Sequence, residues 1–146
     1  MASAQERYAA MLRDEIAPAL RTLGFKGSGT SYVLPDPRDW VVLGFQGSRW
    51  NSAQDVRFTV NLMVADKLAW ESGRADRAWW PTRPKANVSY GPEVSAFRLG
   101  VISRGSDQWW VVSANAPTRS VADAVLDSIE RSGMPWIRKR MRTRSG

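Results

Sequence analysis

Apolar residues recur every three or four positions at Tyr8, Leu12, Ile16, Leu20 and Leu23, which makes a single helical stripe. Ser3 and Glu6 stand ahead of it at capping-box spacing. The pattern predicts one helix over about residues 4–23, kinked at Pro18, whose ring and missing N–H disturb the turn. From Tyr32 the period changes to two. Residues 32–34, 40–46, 56–64, 96–102 and 108–114 read as strands. The third is the cleanest, with Val56, Phe58, Val60, Leu62 and Val64 on one face and Arg57, Thr59, Asn61 and Met63 on the other. In the fourth, Phe97, Leu99 and Val101 are expected to point inward, and Arg104–Asp107 to form a hairpin turn. The helical period then returns at Val121, Val125, Leu126 and Ile129, behind a second capping box at Ser120 and Asp123. Gly133 is expected to stop that helix, and Pro135 to open a last short one over 136–142.

Most strand connections have hairpin length, so the sheet should be largely antiparallel. Two amphipathic helices suffice to cover one of its faces. The expected fold is α+β, a two-layer sandwich of about five strands with the N- and C-terminal helices packed on one side. Residues 65–95 are the least regular part, with a helical turn predicted at Lys67–Ser72 and Pro81, Pro84 and Pro92 excluding anything long afterwards. Trp70, Trp79, Trp80 and Tyr90 in this stretch argue for order, because such side chains are costly to leave in water.

Composition then narrows the chemistry. The 146 residues contain no His and no Cys. That removes imidazole-based triads, thiolate nucleophiles, His or Cys zinc sites and CxxC redox chemistry. The formal charge is +7, but Arg138, Lys139, Arg140, Arg142 and Arg144 fall within the last nine residues, and removing those five leaves +2 for the rest. Residues 1–137 are therefore read as one α+β domain and 138–146 as a basic tail. There is no run of 18 apolar residues and no leader-like N-terminus, so a cytoplasmic protein without membrane contact is expected.

Four strings occur in a distinctive order: Leu20-Arg21-Thr22-Leu23-Gly24-Phe25-Lys26, Phe45-Gln46-Gly47-Ser48-Arg49-Trp50-Asn51, Phe58-Thr59-Val60-Asn61 and Trp109-Trp110. Together they resemble the bacterial family called domain of unknown function 4304, over roughly residues 5–140. The resemblance implies a small α+β domain with no established activity, and by analogy an immunity- or antitoxin-like role. It brings no catalytic residues.

The residues themselves point to binding. Arg57, Thr59, Asn61 and Arg98 share the polar side of the expected sheet, with Gln46 and Arg49 at the end of the strand expected nearby and Trp50 and Trp109 flanking them. Such a surface offers guanidinium and amide donors beside tryptophan, the side chains that anchor protein interfaces. Trp79 and Trp80 in the long loop would add to it. The bland alternative is a solvated sheet face and a tryptophan mini-core. Asp123, Asp127 and Glu130 lie on one helix side, more simply a wet face beside Arg119 and Arg131 than a metal site. No phosphate-binding or nucleophile-elbow motif occurs, so no enzyme, cofactor or metal is expected. The expected function is protein recognition through the polar face and tryptophan loop. The alternative is nucleic-acid binding through the basic tail and sheet face, although residues 138–146 contain no aromatic side chain for stacking.

Overall fold

The computed structural model describes residues 2–92 and 94–145, with side chains as far as residue 141. The capping box is present: Ser3 Oγ accepts from the Glu6 N–H at 3.1 Å, and Glu6 Oε1 accepts from the Ser3 N–H at 3.3 Å. From this cap runs α1 (Ala4–Met11), which passes through a π turn, Leu12–Ile16, into α2 (Ala17–Thr22). The π turn is how the chain absorbs Pro18. Ala17 donates its N–H five residues back to the Leu12 carbonyl, and the widened turn relieves the crowding a proline ring causes in an α-helix. The same device recurs at the other end of the chain. There α5 (Arg119–Ser128), a π turn (Ile129–Gly133) and α6 (Met134–Ser145) are continuous, and Met134, the residue before Pro135, donates to the Ile129 carbonyl.

Gly133 therefore does not end the C-terminal helix. It lies buried in the π turn, where a Cβ would meet Leu62 Cδ1 and Leu99 Cδ1 at 3.3 Å, so glycine serves close packing there. Nor is Ser120 a cap. Thr118 holds the N-cap position without capping, and its hydroxyl donates instead to Glu15 at 2.5 Å, tying the two helices together. The boundary expected after residue 137 falls within α6, whose Ile137 is fully buried. Gly146 and the side chains of 142–145, part of the expected tail, lie outside the described residues.

The strands are β1 (Lys26–Ser28), β2 (Ser31–Leu34), β3 (Asp39–Gly47), β4 (Asp55–Asp66), β5 (Ser95–Arg98) and β6 (Trp110–Ser113). All pair antiparallel in the order β1-β2-β3-β4-β5, with β6 also on β4. The fold class is α+β, as the periodicities predict. The far edge differs from expectation. One side of β4 is shared, residues 61–64 pairing with β5 and residues 55–58 with β6. Between them the chain leaves the sheet as α4 (Leu99–Arg104), closed by Gly105 in the left-handed conformation, φ 76°. Arg104–Asp107 thus begins as a helix terminus rather than a hairpin turn. Leu99 is buried from the helix, and Phe97 stays 46% exposed at the sheet edge.

The N- and C-terminal helices lie on one side of the sheet, over Leu43, Phe45, Phe58, Val60 and Leu62, all essentially inaccessible to water. Each such side chain contributes roughly 1.5–3 kcal/mol by leaving water. The opposite side is covered over half its length. Residues 67–94 begin with a full helix, α3 (Lys67–Asp76), longer than the single turn expected, capped by Asp66 accepting from the Ala69 N–H at 2.7 Å. Its Trp70, with Trp80 and Tyr90, packs on Val42, Met63 and Ala65 as a second core. Among the described residues, no helix is long and apolar enough to cross a membrane.

Candidate functional site

The polar side of β4 is built around an amide network. Asn61 sits opposite Gly44 of β3 and Arg98 of β5, and is only 8% exposed. Its Nδ2 donates to Gln46 Oε1 at 2.8 Å and to Asn87 Oδ1 at 2.9 Å. Asn87 Nδ2 in turn donates to the Phe45 carbonyl at 3.1 Å. Glycine at 44 is what allows this, since a Cβ there would meet Asn87 Oδ1 at 2.5 Å. Beside Asn61, Thr59 is fully buried and its hydroxyl donates to the Gln108 carbonyl at 3.1 Å. The expectation of an open surface at Thr59 and Asn61 is therefore corrected. The amides are consumed in pinning the 86–89 segment to the sheet, leaving a shallow groove of about 310 Å³ bordered by Gln46, Asn87, Ser89 and Arg98.

Arg98 leads from that groove to a second depression. Its Nη1 lies 2.6 Å from Asp107 Oδ2, and its guanidinium stands 5.2 Å from the centre of the Trp109 ring. Trp109 Nε1 donates to the same carboxylate oxygen at 3.3 Å. On the far side of Trp109 opens a cleft of about 410 Å³, bordered by Trp50, Asn51, Asp55 and Arg57. The loop that carries Trp50 is held by Asn51, which acts as a substitute strand: its Oδ1 accepts from the Arg57 N–H at 2.8 Å and its Nδ2 donates to the Arg57 carbonyl at 3.1 Å. Trp50 is 83% exposed, with the Arg49 guanidinium 5.9 Å from its ring centre.

Seven of the nine residues expected to bind thus fall along one band: Gln46, Asn61 and Arg98 at the groove, and Arg49, Trp50, Arg57 and Trp109 at the cleft. The other two belong elsewhere. Trp80 is a core residue, 5% exposed and stacked on Trp70 at 4.3 Å, its ring filling the space over Gly73 where a Cβ would clash at 2.6 Å. Trp79 stacks on Tyr90 at 5.6 Å and keeps 64% of its surface in water. Sequence reasoning missed Asn87 and Asp107, whose roles arise from contacts 26 and 9 residues distant in the chain. The helical carboxylates pair locally, Asp123 with Arg119 at 3.4 Å and Asp127 with Arg131 at 2.8 Å.

A family model described as Domain of unknown function (DUF4304) matches residues 16–139, most of the chain. No curated protein matches the chain, and no solved structure does.

Proposed function

The chain belongs to the DUF4304 family, and on that premise we propose that it is a non-catalytic binding domain whose polar sheet face docks a protein partner. The observation that carries this reading is the rim of the cleft: Trp50, 83% exposed, displayed beside Arg49 and Arg57 on a loop that Asn51 holds in place. A tryptophan costs free energy in water, and covering it on association returns that cost. Tryptophan and arginine are also the residues that most often dominate binding energy. Because the loop is already hydrogen-bonded to β4, little ordering entropy is lost when a partner docks. Arg49 and Arg57 beside the cleft favour an acidic segment of that partner, while Arg98 already holds Asp107.

The test is affinity capture from native lysate, with and without nuclease, using wild-type protein, Trp50→Ala and the double variant Arg57→Ala/Arg98→Ala side by side. Wild type is expected to retain one protein at near-stoichiometric amount. Trp50→Ala should weaken its binding at least about thirtyfold, the effect of losing a hot spot of about 2 kcal/mol. Equal retention by all three baits would overturn the reading. So would retention that vanishes with nuclease.

A further inference from the structure

Residues 138–146 lack an aromatic side chain, but the fold supplies two next to them. Phe97, 46% exposed on the edge strand β5, stands 6.2 Å from the Trp136 ring, and the Arg140 guanidinium lies 5.1 Å from the centre of Trp136. Helix α6 then continues through Arg138 and Lys139, both exposed, into a sequence with Arg142 and Arg144 and no acid. Phe97 on β5, open to water, therefore adjoins through Trp136 the run of cations on α6. From this juxtaposition we infer a binding surface for single-stranded nucleic acid, with a base stacked on Phe97 and the adjoining phosphates against the cations of α6.

Physical chemistry selects this occupant. A base has an apolar π-face that stacks on an aromatic ring whatever the sequence, and the phosphates release condensed counterions when cations replace them. A membrane-surface helix needs a free apolar face. The apolar side of α6 is already spent, with Ile137 fully buried and Met134 and Met141 packed on the core. Duplex is disfavoured because its bases are stacked on each other and present no face to Phe97. Phe97 borders the groove beside Arg98 but not the Trp50 cleft, so Trp50→Ala and Phe97→Ala separate the two readings.

Fluorescence anisotropy of a labelled twelve-nucleotide oligo(dT), with oligo(U) in parallel, tests it on the full chain. Binding should be strong at low salt and weaken linearly on a log–log plot as salt rises. Phe97→Ala should weaken it about tenfold, within the range measured for one stacked base. Arg138→Ala should lower the salt slope by about 0.7, one phosphate contact on a single strand. If Phe97→Ala fails to fold, the Arg138→Ala slope still decides. No binding at low salt, an unchanged affinity in Phe97→Ala, or displacement by polyglutamate as effective as by unlabelled oligo(dT) would each overturn the inference.

Discussion

The two sides of β4 are both buried, yet they are held by different forces. On the helix side Val56, Phe58, Val60, Leu62 and Val64 meet other apolar side chains and are at most 1% exposed. On the other side Arg57, Thr59, Asn61, Met63 and Ala65 alternate with them, and all but Arg57 are also buried. Half of that second side is an aromatic core and half is hydrogen-bonded amide. Alternation along a strand therefore separates two faces without saying that one of them meets water. Short polar residues such as Thr59 and Asn61 are buried at little cost provided every donor finds an acceptor.

Truncation on the helix side should produce the largest effect. Leu62→Ala removes a fully buried side chain wedged between β4 and the C-terminal π turn, and should cost about 2–5 kcal/mol in urea unfolding. Asn61→Ala, its neighbour facing the other way, should cost about 1–3 kcal/mol, because Gln46 Oε1 and Asn87 Oδ1 lose their donor. Its signature should be local, with amides around residues 84–90 exchanging faster while those of α1 and α5 keep their protection. An Asn61→Ala that unfolds as readily as Leu62→Ala, with uniform loss of protection, would erase the distinction between the two sides.

How much of this was readable along the chain follows from the same distinction. The helix side and both helices were legible because apolar side chains repeat at the period of their own element, as Ile16 and Leu20 or Phe58 and Val60 do. The π turns were half legible: Pro18 and Pro135 announce a disturbance, but a widened turn and a break look alike in sequence. The far edge was not, because alternation at Phe97, Leu99 and Val101 fits four residues of strand followed by a helix as well as seven of strand. Trp80 and Trp50 are the same residue type in similar loops. What sends one into a core and leaves the other in water is Gly73 and Trp70 beside the first, which come together only in three dimensions.

The smallest predicted effect tests polar atoms on the apolar side. Tyr8 and Tyr32 reach into the helix-side core, and among the described residues neither hydroxyl has a hydrogen-bond partner. Replacing either with Phe removes no bond, so at neutral pH the variants should lie within about 1 kcal/mol of wild type, unlike Asn61→Ala. Raised pH should then separate them. Burial, and to a lesser degree the charge of Tyr32, hold the Tyr8 hydroxyl well above its ordinary value of 10.0, and burial raises Tyr32 as well, opposed by Arg21. The folded chain keeps protons on these phenols that the unfolded chain gives up. Their contribution is therefore complete below pH 10 and falls as pH rises above it, by up to about 1.4 kcal/mol per pH unit per tyrosine. Urea unfolding at pH 8 and pH 11 should show Tyr8→Phe losing less stability across that interval than wild type, the lysines titrating alike in both. A neutral-pH cost above about 2 kcal/mol would mean that the Tyr8 hydroxyl has a partner in solution, and the apolar side would then rest on hydrogen bonds as the amide side does.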